Sequence, residues 1–416
     1  MEASTPISHI PNEIIQLILF QLPVKSVIRC QCVCEQWRLL IGDSDFKFSY
    51  RGQHRRLIFL STEPKSLDRD RRWRPISRFL VRSASHDLRV RRHKLPFGQV
   101  YPFTRATLGS DLSVLCSCNG FVLLRVATKE IWLWNPSTKC SVKVLELPPY
   151  PEKLKMVILA AGLCYDSRTR DYKAVLSLRR IGGDIEFDPP FLMSASFNHK
   201  EWRPVQFLGF LNSVIKGGGI EFRDTFYWWA SDIKDMRYNP PSWDCFTGRN
   251  RIIYFDPVGD EFRILPLPAS GLRERFWIYG LGVIDDCICM VACIFHEGKD
   301  EPKEPKTKTV WIMKEYGRQE SWMIAFAIQM PQFGCLDWWY GFTFYSQNMN
   351  AQEVLFVRTM RRGQIVYVYD RKKEKLKTDS LNFITRSHPS KIFLSMCFYV
   401  ESLACPHRPQ WIDLER

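Results

Sequence analysis

The sequence is short of the marks that identify most enzymes and metalloproteins. Its 416 residues include 14 cysteines and 8 histidines, yet no C-x-x-C pair occurs and no histidine completes a zinc-ligand spacing. The cysteines alternate instead: Cys30, Cys32 and Cys34, then Cys116 with Cys118, then Cys287 with Cys289. A buried cysteine behaves as a small hydrophobe, so these are expected to stay reduced and fill core. There is no G-x-S-x-G elbow, no H-E-x-x-H and no Walker-type loop. Gly217-Gly218-Gly219 follows Lys216 but leads into a strand-like run rather than a helix, which does not suit a phosphate cradle. Gly280-Leu281-Gly282 has no third glycine at the right offset. No catalytic constellation, metal or other cofactor is therefore expected.

Long apolar runs are missing as well. The stretch Met156 to Tyr165 is too short to span a bilayer, and Ile278 to Phe295 is cut by Asp285 and Asp286. No basic n-region precedes the first apolar run, which Glu13 and Gln16 interrupt, so no signal peptide is read there. The one Asn-x-Ser/Thr match, at Asn135, is blocked by Pro136. The expectation is a soluble intracellular chain, nuclear or cytoplasmic, with no membrane partner.

What is present begins with charge. Lys and Arg number 59 against 44 Asp and Glu, a net +15. Two-thirds of that surplus lies in residues 51–94, where twelve arginines and two lysines face four acidic residues. Arg69-Asp70-Arg71-Arg72-Trp73-Arg74 and Arg89-Val90-Arg91-Arg92-His93-Lys94 are its densest parts. Arginines interleaved with Trp73 and Phe79 suit phosphate neutralisation and base stacking. The same residues suit a nuclear-import signal, a docking patch for an acidic protein, or a plain solvated junction. Arg71, Arg72, Arg91 and Arg92 are the candidate patch residues under either binding reading.

Residues 10 to 48 read as short helices. Pro11 and Glu13 suit a first helical turn. From Ile14 to Leu22 seven of nine positions are apolar, so the stripe wraps nearly the whole helix and needs covering on two faces. Leu22-Pro23 ends it, and Val27, Ile28, Val33 and Trp37 follow. Forty residues of short helix cannot bury that surface among themselves. The excess must meet the rest of the chain or another protein.

From about residue 112 the period changes. Ile131-Trp132-Leu133-Trp134, Ile252-Ile253-Tyr254-Phe255 and Ile365-Val366-Tyr367-Val368-Tyr369 are β-branched and aromatic, and continuous rather than alternating, which implies strands covered on both faces. Each ends at turn residues, and with Phe197-Asn198 and Met313-Lys314 the beats fall at 135, 198, 256, 314 and 370, at gaps of 63, 58, 58 and 56. Between beats lie hairpin turns at Asn119-Gly120, Asp166-Ser167, Arg223-Asp224 and Asp285-Asp286. Two hairpins per period make a four-stranded unit, the pattern of propeller blades. A β-sandwich with similar spacing is the alternative. Five beats are visible, residues 51–112 have room for a sixth unit, and Leu57 to Leu60 already reads as strand. The loops Gly182 to Pro190, Asn239 to Arg249 and Lys299 to Lys308 read as insertions.

The order Ile10-Pro11-Asn12-Glu13-Ile14-Ile15, Ile18-Leu19, Leu22-Pro23-Val24-Lys25-Ser26, Cys32-Val33-Cys34, Trp37-Arg38 and Phe46 resembles an F-box, with Glu35 standing where that family carries a lysine. The remainder is similar to the F-box-associated, kelch-like domain of plant F-box proteins. The carrying stretches are Ser117-Cys118-Asn119-Gly120, Leu133-Trp134-Asn135-Pro136-Ser137-Thr138 and Gly162-Leu163-Cys164-Tyr165-Asp166-Ser167. Others follow in order: Tyr172-Lys173, Phe262 to Pro268, Trp311 to Gly317 and Tyr399 to Leu403.

The resemblance implies a small all-α F-box module followed by a large all-β, propeller-like domain. The boundaries are an F-box over 1–50, a basic linker with room for a first blade over 51–111, a β-repeat domain over 112–405, and a tail over 406–416. It implies a non-catalytic substrate receptor that docks on the Skp-type adaptor of a cullin–RING ubiquitin ligase and holds a target protein, of acidic character if the arginines meet it, for ubiquitination. The adaptor-binding positions it implies are Ile10, Pro11, Ile15, Leu19, Leu22, Pro23 and Trp37, of which Leu22 and Trp37 best suit the module's own core. Trp243, Trp338 and Trp339 are the aromatic candidates for target contact. The alternative reading is a nucleic-acid-binding propeller that grips phosphate through residues 51–94.

Overall fold

In the computed structural model the described residues are 10–63, 78–84, 90–93, 112–126, 129–148, 155–181, 191–205, 213–233, 246–268, 275–295, 307–329, 342–346, 352–360, 363–378 and 393–406. Four short helices open the chain: α1 (Asn12–Phe20), α2 (Val24–Cys30), α3 (Glu35–Gly42) and α4 (Ser44–Ser49). Prolines set two of their starts, with Pro11 and Pro23 extended at the N-caps of α1 and α2. Side chains set the others: Cys34 Sγ accepts from the Trp37 amide at 3.5 Å, and Asp43 Oδ1 accepts from the amides of Asp45 and Phe46, both at 2.9 Å.

After them the described elements are almost all strands of antiparallel sheet in a propeller-like arrangement. The Arg-rich stretch supplies β1 (Arg51–Glu63), β2 (Arg78–Ala84) and β3 (Val90–His93), so it builds a blade. A second unit holds β4 (Leu112–Cys118), β5 (Phe121–Val126), β6 (Glu130–Trp134) and β7 (Ser141–Glu146). A third holds β8 (Lys155–Asp166), β9 (Asp171–Ile181), β10 (Phe191–Ser196) and β11 (Trp202–Pro204). A fourth holds β12 (Ser213–Phe222), β13 (Thr225–Ile233), β14 (Phe246–Asp256) and β15 (Glu261–Leu265).

The last sheet has eight strands and divides into two meanders. One is β16 (Arg275–Ile284), β17 (Cys287–Phe295), β18 (Thr307–Met313) and β19 (Trp322–Gln329); the other is β20 (Phe342–Ser346), β21 (Glu353–Met360), β22 (Gly363–Asp370) and β23 (Lys375–Thr378). A parallel pair, β16 with β20, joins them at the hub. Then β24 (Phe393–Ser402) returns to pair with β1 and completes the first blade, in the order β24-β1-β2-β3. Successive inner strands pack in turn, β24 on β4, β4 on β8, β8 on β12 and β12 on β16. Tyr345 on β20 and Phe398 on β24, with ring centroids 4.6 Å apart, bridge the remaining step.

The sequence beats coincide with the turns between third and fourth strands, and side-chain chemistry makes them. Asn135 Oδ1 accepts from the amides of Ser137 and Thr138, and Asp256 and Asp370 repeat the pattern with the residues two and three positions on. Asp166 does the same between the first two strands of its blade. Four positions after these four acceptors the backbone turns left-handed, at Lys139, Asp260, Glu374 and Arg170, with φ between 50° and 66°.

Two expected loops end early. β14 begins at Phe246, and β18 begins at Thr307, so Lys308 is a strand residue whose side chain is buried with its ammonium 4.8 Å from the Tyr279 ring. Gly217-Gly218-Gly219 lies inside β12, beside a register shift against β13. The Gly182 to Pro190 insertion lies outside the described residues.

Candidate docking surface

The helical module has one core and one open face, both drawn from the same apolar run. Ile15 and Leu19, one turn apart on α1, are buried with Val24, Val27, Ile41, Phe46 and Tyr50. Phe20 closes that core, its ring 5.2 Å from Phe46 and 6.3 Å from Tyr50. The Tyr50 hydroxyl donates to the Leu22 carbonyl at 2.6 Å; burial, aided by the Glu401 charge, pushes its pKa well above the usual phenol range.

Ile14, Leu17 and Ile18 follow the other helical period and face outward, at 46, 59 and 47% exposure. Ile10, Ile28, Val33 and Leu39 of the same module are exposed as well. Apolar surface of this kind marks an interaction site. The expected double-sided covering of α1 is thus half supplied by the chain itself.

This sorts the seven positions implied by resemblance. Ile10, Pro11 and Pro23 are exposed. Ile15 and Leu19 are buried inside the module core. Leu22 and Trp37 are partly buried against that core. Ile14, Leu17, Ile18, Ile28, Val33 and Leu39, outside those seven positions, are exposed. Ile14, Leu17 and Ile18 stand at i, i+3, i+4 spacing, but a motif match does not say which side of a helix faces out.

The module sits on the propeller at the end that carries the first-to-second and third-to-fourth turns. Phe48 packs on Tyr165, with ring centroids 4.8 Å apart. Arg51 donates to the carbonyls of Phe48 and Tyr50 and, through Nε, to Asn119 Oδ1 at 3.2 Å; Asn119 Nδ2 then donates to Asp224 Oδ1 at 2.7 Å. From the other end of the chain, Leu403 enters the module's core. Buried Asn135 donates to the Ala404 carbonyl at 2.7 Å and to Ser402 Oγ at 2.9 Å, fixing the segment that carries Leu403.

Three arginines of the basic stretch are spent on the fold. Arg51 is placed as above, Arg55 pairs with Glu221 at 2.9 Å, and Arg56 pairs with Glu401 at 3.0 Å. Arg91 and Arg92 lie on β3, in register with Ser83 and Arg82. Arg71 and Arg72 lie outside the described residues, as do Trp243, Trp338 and Trp339.

A polar cleft of about 260 Å³ between the third and fourth blades was not foreseen. Its Asp260 accepts from Lys173 Nζ at 3.1 Å and from Ser194 Oγ at 3.3 Å. Asp171 accepts from Ser196 Oγ and from the amides of Tyr172 and Asn198; burial raises its pKa despite those bonds. Both carboxylates are thus engaged in holding turns. Burial likewise pushes the thiols of Cys164 and Cys397 up to about 12 and raises Cys116 and Cys118, so none is a ready thiolate.

A family model for the F-box domain matches residues 7–49, the helical module described above. The F-box/kelch-repeat protein At3g23880 of Arabidopsis thaliana is 27% identical over 323 residues, 76% of this chain and 78% of that protein. The F-box protein CPR1 of the same plant is 24% identical over 355 residues, 78% of this chain and 74% of its own length. Among solved structures, TolB from Acinetobacter baumannii aligns with 85% of this chain and 67% of that chain, at a TM-score of 0.41 and 10% identity. The chain carries an F-box domain at its N-terminus, and over most of its length its homologues are Arabidopsis F-box and F-box/kelch-repeat proteins.

Proposed function

We propose that this protein is the substrate-recognition subunit of an SCF-type cullin–RING ubiquitin ligase, without catalysis of its own. The observation that carries the reading is the open face of α1, where Ile14, Leu17 and Ile18 stand exposed on a helix whose other face is sealed. Covering Leu17 alone is worth about 1.5 kcal/mol or more. A Skp-type adaptor supplies that cover, and through it the cullin and RING subunits follow. The protein then works by proximity, raising the effective concentration of target lysines near a charged conjugating enzyme.

The target is held at the end of the propeller away from the F-box. On that side β9, β13 and β17 end at Ile181, Ile233 and Phe295, and β10, β14 and β18 begin at Phe191, Phe246 and Thr307. The aromatic candidates Trp243, Trp338 and Trp339 lie outside the described residues. The complex acts in the nucleus or cytoplasm, and degradation of the target by the proteasome is its outcome. The nucleic-acid alternative rests on Arg71, Arg72, Arg91 and Arg92, since Arg51, Arg55 and Arg56 have partners within the fold.

The test is titration of the full chain with purified Skp-type adaptor by calorimetry. Wild-type protein binds, Leu17→Asp loses binding with an unchanged melting temperature, and Ile264→Asp on the exposed rim of β15 binds normally. Undiminished binding by Leu17→Asp would sink the proposal. Target turnover with and without a proteasome inhibitor then separates a degradative receptor from an adaptor-bound protein of another use.

A further inference from the structure

The helical module does not complete its own core. Among the described residues, Ile15, Leu19, Val24, Val27, Ile41, Phe46 and Tyr50 of the module are buried there with one side chain from the far end of the chain, Leu403. The helices around it have nine, seven, eight and six residues, each shorter than a helix that is stable alone. Tertiary packing therefore sets how α1 sits. The face that Ile15 and Leu19 bury decides which way Ile14, Leu17 and Ile18 point.

Leu403 is placed by the propeller rather than by the module. Ser402, fully buried at the end of β24, is in register with Arg51 on β1; Leu403 enters the module core; Ala404 joins the core of the second, third and fourth blades. Asn135 Nδ2 holds the segment by donating to Ser402 Oγ and to the carbonyls of Ser402 and Ala404, at 2.9, 3.2 and 2.7 Å. Gly120, left-handed with φ of 82°, comes so close that a Cβ there would collide with the Ser402 hydroxyl. On the paired strand, Arg51 follows α4 directly and donates to the Phe48 and Tyr50 carbonyls.

Seating of residues 402–404 thus serves two structures at once. It ends the strand that closes the ring, and it seals the floor under α1. A free-energy difference between the seated and released segment is felt at both places, and linkage makes the effect reciprocal.

We propose that closure of the propeller ring and docking of the adaptor are coupled through residues 402–404, with Leu403 as the positioning residue for the open face of α1. The coupling rests on the reading of that face as the adaptor site. With the segment seated, α1 is held with Leu17 outward and the chain is competent to dock. With it released, Ile15 and Leu19 lose part of their cover, and the apparent affinity falls with the competent fraction. Conversely, adaptor bound to α1 stabilises the seated segment and the closing strand.

The experiment is calorimetric titration of the full chain with purified Skp-type adaptor, together with amide exchange of the unmodified protein. Leu403→Asp, which puts a charge into that apolar core, weakens binding by about ten-fold or more. Asn135→Leu, a change outside the module, weakens it by about three-fold or more. Phe356→Leu, in the separate core of the fifth and sixth blades, lowers the melting temperature but leaves affinity unchanged, which distinguishes coupling from general loss of stability. Without any variant, adaptor slows amide exchange at residues 400–404, and Leu17→Asp abolishes the slowing along with the binding. Wild-type protein that fails to bind adaptor removes the reading of the face and the coupling with it. Wild-type protein that binds, with full affinity in either Leu403→Asp or Asn135→Leu or with exchange at 400–404 unchanged by adaptor, overturns the coupling alone. So does a loss of affinity in Phe356→Leu equal to that in Asn135→Leu.

Discussion

Arg55 and Glu221 meet at 2.9 Å although their strands, β1 and β12, belong to blades three apart in the ring. The Arg55 guanidinium also lies 4.5 Å from the centroid of the Tyr345 ring, and the Tyr345 hydroxyl oxygen accepts from the Glu221 amide at 3.2 Å. With Phe398 against Tyr345, four residues from three blades tie the hub together.

Removing one member of a pair this enclosed leaves a charge without its partner. The side chains are only 20 and 12% exposed, so Glu221→Leu or Arg55→Leu alone is expected to cost about 3 kcal/mol of unfolding free energy. Arg55→Leu combined with Glu221→Leu recovers more than half of that loss. Denaturant unfolding of the two single variants and the double variant measures the coupling, and additive losses would contradict it.

Leu403 belongs to the same core as Ile15, Leu19 and Tyr50. Truncating it to alanine is expected to cost about 2–3 kcal/mol. The diagnostic readout is location: amide exchange accelerates in α1 to α4, not only in β24. Asn135→Leu acts at one remove, releasing the Ala404 carbonyl and Ser402 hydroxyl, and gives the same exchange pattern.

Gly162 on β8 is where blades three and four come closest. A Cβ there would stand 2.3 Å from Cζ2 of Trp228, itself 1% exposed and packed on Phe226 and Phe262. Gly162→Ala is expected to destabilise by about 1–3 kcal/mol and to shift tryptophan emission to the red; a neutral melting temperature would refute the packing.

Thiol labelling separates the cysteines by place rather than by number. Cys32 and Cys34 are exposed in the F-box and react with a thiol reagent in the native protein. Cys116, Cys118 and Cys164 are buried with raised pKa values and react only on unfolding. Mass spectrometry of labelled peptides checks both halves.

Much of the propeller is legible in the sequence because its turns are made locally. Asn135, Asp166, Asp256 and Asp370 each accept from amides two and three residues on, so a short window holds both partners. The closing of the ring is different. Arg51 pairs with Ser402 across nearly the whole chain, and no local pattern in β1 announces β24. For that reason the Arg-rich stretch reads only as a linker with room for a first blade until its strands are seen paired.

The docking face shows the same division. Two apolar faces on α1 are implied by composition alone, since seven apolar residues in nine exceed one stripe. Which face is open depends on Val27, Ile41, Phe46 and Leu403 arriving from elsewhere to seal Ile15 and Leu19.

The pairing of β1 with β24 also sets a timetable for synthesis. A ribosome releases the F-box helices well before β24, so the first blade and the floor of the F-box both stay incomplete until β24 has emerged. A message cut short before the codons for β24 therefore yields a helical module that lacks Leu403 and a first blade that lacks its inner strand.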